Sequence, residues 1–404
     1  MLVQCSSVRA AACRYVSVTR LQRFPSYHPR GFYLLCLAVL CERWAAAILS
    51  SSVVLMLCER YGFGRSDALR LAGLYSAASY LLTLPGGFAL DRLLGAQRAL
   101  GMGMVLLLLG YAALSMSPTP VLWLPVPLLL LGHALFKPST QAVMVFLYER
   151  HDPRLESAQI ICYLGVNAAA SAGAICAGLL VRGHSFRTAF ALAAVLVLIG
   201  CMVLAFGKSA FRLRPRVSAP LPPAASSPIV MSAQRRAKII AALTLAMMLF
   251  TVGFGQVEGA LFLWAQDRTD RTLFGFEIPA AWFVGLPSFL VLLLAPAQLA
   301  LLPRIRQRLS TPHLITLGLV AVVLAFAVLI PPALLSNGHR VSMLWLLACM
   351  TLLVIGELLI APLGLSLLVR LAPTRFVGVV MGIWYVAGAI GCWLAGEVGA
   401  LWMK

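Results

Sequence analysis

Charge is what this sequence has least of, and acid is scarcer than base. Of 404 residues only 11% are charged, with 13 Asp and Glu against 32 Lys and Arg. A soluble domain carries roughly a quarter charged residues, so a water-exposed surface over the whole chain is excluded. The ten cysteines include no CxxC pair and no metal-ligand spacing. Eight of them (Cys36, Cys41, Cys58, Cys162, Cys176, Cys201, Cys349 and Cys392) lie in or at the ends of apolar segments, where cysteine packs as a small hydrophobe. The six histidines do not cluster. There is no P-loop lysine motif, so ATP does not drive this chain directly. Nucleophile elbow, HExxH and deaminase spacings are missing, which leaves an intramembrane enzyme without support. The net charge of +19 is not accompanied by an aromatic-interleaved basic patch or a nucleic-acid motif. No cofactor or metal is called for.

Hydrophobicity is what is there. At 61% apolar residues, with repeated apolar runs of span length, the chain is an all-α polytopic membrane protein. Eleven spans are expected, near 31–58, 68–90, 98–117, 120–147, 157–181, 187–207, 238–264, 278–302, 312–332, 341–369 and 375–401. Residues 1–30 form a basic tail with five arginines and no acid, either a transit-like leader, an upstream extension or a cytoplasmic tail. Residues 31–207 make a first half of six spans. Residues 208–237 (RLRPR, then Pro, Ser and Ala, then QRR) read as a flexible linker. Residues 238–404 make a second half of five. This is a two-half bundle whose twelfth helix is missing from the expected plan, which would leave Gly396 and Gly399 facing lipid. With the N-terminus in the cytoplasm, 21 of the Lys and Arg fall on the cytoplasmic side, 9 on the other, and Arg43 and Lys137 lie within the membrane. That asymmetry follows the positive-inside rule.

Ionisable residues at membrane depth are costly, roughly 2.5–3.5 kcal/mol for an Arg at a helix centre on insertion scales. They persist where they face a bundle interior and have partners. Glu42 and Arg43 interrupt the first span, Lys137 the fourth (LLLLGHALFKPST) and Glu357 the tenth (LLVIGELLIAPLGL). Together they outline a polar site inside the bundle, or else a set of ion pairs that fix helix packing. His133 stands one helical turn before Lys137, suited to packing or hydrogen bonding.

The motifs resemble those of the proton-dependent oligopeptide transporter family of the major facilitator superfamily, over almost the whole chain. HPRGFYLL followed by Glu42-Arg43 is similar to the family's opening. GGFALDRLLG, from Gly86 to Gly95, is similar to the loop between helices two and three, with Tyr80 on the preceding helix. LFKPS (Leu135 to Ser139) looks like the fourth-helix motif. ICYLGVNAAASAG looks like the fifth-helix motif, built on Asn167. IPAAWF (Ile278 to Phe283) resembles the start of helix eight. GELLIAPLGLSLLVRLAPTRFVGVVMGIWYV (Gly356 to Val386) resembles helices ten and eleven.

The resemblance implies proton-coupled uptake of di- and tripeptides by alternating access, with protons as coupling ion and the bilayer of a bacterial inner membrane as setting. Arg43, assisted by Lys137, would hold the peptide carboxylate, and Glu357 its amino terminus. Tyr80, Asn167, Gln256 and Trp384 would line the cavity, against ordinary packing for Tyr80 and Trp384 and an interhelical hydrogen bond for Asn167. Gly87, Asp91 and Arg92 would brace the two halves. The sequence departs from the family at Val39, Ala46, Ala47, Gly255 and Pro287, where a Glu, two Tyr, an acid and an Asn are usual. Two acids are therefore gone. Glu258, three residues after Gly255, is the expected substitute for coupling, unless it is solvated at the outer mouth. Glu42 or Glu357 would pair with the Arg43 and Lys137 cluster. A facilitator for another small zwitterionic or anionic solute, or a non-transporting copy, is the alternative.

Overall fold

A computed structural model describes residues 27–116, 124–149, 152, 154–181, 186–211, 232–336, 338–372 and 377–402. Most of the expected basic tail and most of the linker lie outside the described residues. The first half contains α1 (Arg30–Ser50), α2 (Val53–Glu59), α3 (Arg65–Leu81), α4 (Thr83–Ala89), α5 (Ala96–Met116), α6 (Pro125–Phe146), α7 (Arg154–Val181) and α8 (Phe186–Phe206). The second contains α9 (Ala233–Phe254), α10 (Ala260–Asp267), α11 (Ala281–Arg306), α12 (Thr311–Ala327), α13 (Ile330–Leu335), α14 (Met343–Leu371) and α15 (Val377–Trp402). Four two-residue strands make small pairings at the loop between α10 and α11, one of them reaching Val341–Ser342.

Ten helical spans among the described residues are long and apolar enough to cross a membrane. Eleven were expected, and the second is the one that falls short as a continuous helix. Arg65, Asp67 and Arg70 make its first turns polar, and the helix breaks at Leu82. Pro85 removes the backbone donor that would bind the carbonyl of Leu81, and Thr83 Oγ1 donates to the carbonyl of Tyr80 at 2.6 Å instead. α4 then passes into a wide π-type turn at Leu90–Leu94, closed by Gly95 at φ 75°. The seventh expected span is also interrupted, by a 3-10 turn at Gly255–Val257 between α9 and α10. Broken membrane helices are tolerated where the freed backbone groups face protein or a cavity.

Buried side chains fall into two large clusters. One runs from Phe32 to Phe211, with Leu35, Ile48, Met104, Tyr111 and Phe190 at its centre. The other runs from Leu243 to Trp384, around Leu261, Leu346, Leu353 and Leu368. Leucine and valine at Leu317, Val323, Leu293 and Leu334 are exposed, as expected where lipid, not water, is the surrounding solvent. The start of α1 is tied to the turn before α7. Arg154 donates to Asp152 at 2.7 Å and to the carbonyl of Tyr27 at 2.7 Å. The hydrogen bonds from Arg154 to Asp152 hold its buried carboxyl below the ordinary range.

The halves meet through two helix pairs, α3 with α15 and α7 with α11. Their contact is closest at the end of the bundle that holds Arg65. There the backbones of Gly73 and Gly396 approach so nearly that a Cβ on Gly396 would stand 2.8 Å from the carbonyl of Leu69. Gly399 likewise faces Gln256 and Leu69. The expectation that these two glycines look out at lipid is therefore corrected: α3 covers them. Small residues permit such close crossing where dispersion replaces the hydrophobic effect.

The glycine that matters in the GGFALDRLLG stretch is Gly86. A Cβ there would fall inside the carbonyl of Ala134 on α6, whereas one on Gly87 meets nothing. Gly86→Ala should lower stability by about 1–3 kcal/mol, the usual cost of overpacking, and Gly87→Ala should leave it unchanged. Thermal unfolding of the detergent-solubilised protein checks both.

Candidate functional site

Between the halves lies a cavity of about 330 Å³, within the range of small-ligand sites. α1 reaches it with Arg43, Ala46, Ala47 and Ser50, α3 with Tyr75, Ser76, Ser79 and Tyr80, and α6 with His133 and Lys137. From the second half come Thr251 and Phe254, then Gly255 and Glu258 from the break between α9 and α10, Pro287 and Ser288 from α11, and Cys392 from α15.

Its cationic wall is built in layers. Glu42 is buried, with its side chain 3% exposed, and accepts two hydrogen bonds from its neighbour Arg43, from Nη2 at 2.8 Å and from Nε at 3.2 Å. This bidentate grip fixes the guanidinium plane while 31% of the Arg43 side chain stays open to the cavity. His133 Nδ1 lies 3.2 Å from the same Glu42 oxygen. One turn further along α6, Lys137 Nζ donates to Ser79 Oγ at 2.9 Å and sits 5.4 Å from the centre of the Tyr80 ring. Lys137 is held by a hydroxyl and an aromatic face, so its charge is available to an incoming anion.

The opposite wall carries Glu258. It lines the same cavity as Ser50, Arg43 and Lys137 of the first half, so the acid faces the cavity and not the outer mouth. Glu357, half-buried on α14, makes no ion pair or hydrogen bond with a described residue; its charge acts on Tyr80 and Tyr163.

Arg43, Tyr80, Lys137 and Glu258 are thus brought together. Five other expected positions are not. The amide of Asn167 donates to the carbonyl of Tyr163 in its own helix at 3.0 Å. Gln256 is buried and bridges the carbonyls of Val252 at 3.1 Å and Ala395 at 3.0 Å. It ties the break after α9 to α15 and does not line the cavity. Trp384 is packed in the second core against Gly364. Asp91 and Arg92 are exposed and form no ion pair with a described residue, so they do not brace the halves in this conformation. Bracing falls to residues that the motifs did not single out. Arg65 meets Asp267 at 2.5 Å, Arg70 meets Glu397 at 3.1 Å, and Ser66 Oγ donates to the carbonyl of Ala400 at 3.2 Å. Beneath them an apolar plug of Val54, Leu57, Leu69, Phe262 and Leu263 spans both halves, and Trp264 stacks on Trp402 with centroids 5.4 Å apart. Tyr75, Ser76 and Ser79 were also missed as cavity residues. Their spacing with Tyr80 on one helix face was the available signal.

Residues 35–396 match the family model of the Major Facilitator Superfamily. The chain belongs to that superfamily. It is a membrane transporter, not an enzyme, and its relatives place it with the proton-dependent oligopeptide transporters. It is 27% identical to the peptide transporter YePEPT of Yersinia enterocolitica, over 84% of this chain and 80% of that one. It is 26% identical to dipeptide and tripeptide permease A of Yersinia pestis, over 92% and 84%. A mutant peptide transporter POT solved with alafosfalin superimposes with a TM-score of 0.84 at 26% identity, over 94% and 90% of the two chains. A POT family transporter solved with 5-aminolevulinic acid gives 0.85 at 22% identity, over 94% and 92%, a likeness of fold.

The seal at the Arg65 end depends on the glycine contact more than on its ion pairs, which are a third or more exposed and weak for that reason. Gly396→Leu should destabilise the sealed state by about 1–3 kcal/mol, a shift of about 5–150-fold in the equilibrium. A cysteine placed at Ser50, in a background without other reactive cysteines, should then react faster with a membrane-impermeant thiol reagent added on that side. An unchanged rate would assign the seal to the side chains around it.

Proposed function

We propose that this transporter carries short peptides, di- and tripeptides above all, by alternating access and with protons as the coupling ion. The observation that supports it is the polarity of the cavity. Arg43 and Lys137 on the first half face Glu258 on the second, with Glu357 further along the same half. A zwitterion needs a cationic and an anionic pole held apart, and alternating access needs them on parts that separate. The named relatives, peptide transporters and dipeptide and tripeptide permeases, support the same substrate class. On this proposal Arg43 grips the peptide carboxylate with Lys137 beside it, and the amino terminus turns toward Glu258 or Glu357. The split of basic residues supports a cytoplasmic N-terminus and linker, with the Arg65 end on the opposite side of a bacterial inner membrane.

Arg43→Ala should weaken binding of a free dipeptide by about tenfold to a hundredfold, as expected for a hydrogen bond to a charged group of roughly 1.5–3 kcal/mol. Binding of the same dipeptide with an amidated C-terminus should change little. Calorimetry on purified protein makes the comparison, and equal losses for both ligands would rule out a carboxylate contact.

Coupling is assigned to Glu258. A coupling acid must share the cavity with a cation, and Glu258 lines the same cavity as Arg43 and Lys137. Glu258→Gln should abolish accumulation driven by a pH gradient in proteoliposomes and leave peptide exchange intact. Survival of both activities would remove Glu258 from the coupling path.

A further inference from the structure

Glu42 is one carboxylate facing two bases. Its Oε1 accepts from Arg43 Nη2 at 2.8 Å and lies 3.2 Å from His133 Nδ1. Glu42 and His133 are both buried, with side-chain exposures of 3% and 5%, so water cannot replace a lost partner. The other ionisable groups facing this pair give no substitute. Tyr75 from α3 and Tyr111 from α5 present phenols whose buried hydroxyls have no hydrogen-bond partner among the described residues. Tyr80 lies under Lys137, and Lys137 is held by Ser79. Glu258, across the cavity, adds negative charge.

Arg43 therefore has two tasks that conflict. It neutralises Glu42, and its cavity-facing portion is the group that meets an incoming anion. A guanidinium shared with a ligand carboxylate is partly withdrawn from Glu42, and a buried carboxylate stripped of its counter-charge is strongly disfavoured. Imidazole is the side chain whose charge changes near neutral pH, and His133 is already placed against the oxygen that would be stripped. We infer that His133 is a second proton-accepting residue of this carrier. It takes a proton from the cavity water when Arg43 engages an anionic ligand group, pairs with Glu42 in place of Arg43, and returns the proton to the water when the ligand leaves. The inference rests on the carboxylate contact proposed at Arg43. Proton uptake is then linked to anion binding within the first half, separately from the acid on the second.

The substrate-free protein tests the exchange of partners directly. Arg43→Gln removes the guanidinium and leaves Glu42 to His133. Its thermal unfolding temperature in detergent should rise as pH is lowered from about 8 to about 6, across the ordinary range of imidazole. The double variant Arg43→Gln, His133→Asn should lack that rise. Equal responses from the two would overturn the inference. So would an Arg43→Gln protein that folds at neither pH, because protonated His133 is required to serve Glu42 in its place. A second arm uses alanyl-alanine and its C-terminal amide. Over the same fall in pH, wild-type affinity for the free dipeptide should improve several-fold more than affinity for the amide, and His133→Asn should show no such difference between the two. The wild-type difference retained in His133→Asn would overturn the inference. If the first arm holds and neither dipeptide binds the wild type, the peptide assignment fails while the exchange of partners stands.

Discussion

A carboxylate that cannot reach water fixes the geometry of this transporter's centre. Glu42 sits in the middle of a membrane helix with its side chain almost wholly enclosed. Leaving it unpaired would cost several kcal/mol, so Arg43, the next residue, must fold back onto it. Adjacent residues on a helix point about 100° apart and do not ordinarily meet. The long arginine side chain closes that angle, and the bidentate grip then sets which edge of the guanidinium looks into the cavity. Everything at the cationic pole follows. Lys137 is not needed by Glu42 and is held loosely, by a hydroxyl and a ring. One cation is spoken for and oriented, and the other is held ready.

The same economy of charge explains how the two halves can separate. A fixed ion-pair lattice through the membrane would bind them permanently. Here the buried pair lies within one half, and the pairs that cross between halves are at the Arg65 end and partly exposed. What closes that end is mostly shape. Gly73 lies against Gly396, and an apolar plug from both halves sits below. Contacts of this kind are lost and regained without stranding a charge in lipid.

The fold was legible in the sequence because long apolar runs and the positive-inside bias are strong signals that survive uncertainty at each boundary. The break in the second span was not legible because Pro85 and the charges at its start act on the helix, not on the average hydrophobicity of the segment. For the site, residues that are expensive at membrane depth were readable one by one. Arg43, Lys137 and Glu258 all reach the cavity. Residues expected only from their motif position fared differently. Gln256 and Trp384 became packing groups, since an amide or an indole is equally serviceable in a wall or a core, and only the neighbouring backbone decides which. Asp91 and Arg92 are exposed and pair with no described residue, so their motif position carried no visible contact. Tyr75 and Ser79 were passed over because hydroxyls in an apolar helix carry no cost large enough to advertise themselves.

The departures from the family pattern acquire a physical meaning in this setting. α7 crosses α1 so closely at Gly173 that a Cβ there would stand 2.5 Å from the carbonyl of Trp44 and 2.7 Å from the Cβ of Ala47. A tyrosine at position 47 would have to leave along the cavity, where the alanine leaves room. The phenols present in the cavity come from α3, at Tyr75 and Tyr80, and they approach from the side that carries Lys137. On the proposed coupling role of Glu258, the acid missing at Gly255 is displaced and not simply lost. Gly255 opens the helix break and Glu258 ends it, and both line the cavity, so a residue three positions later still presents its carboxylate there. On that proposal, an acid at the end of the break, three residues after Gly255, changes what its protonation can affect. At position 258 it adjoins the 3-10 turn, the seam to α15 through Gln256, and the plug residues Phe262 and Leu263. A change of charge there acts on the elements that seal the Arg65 end, which is where a coupling proton has to be felt.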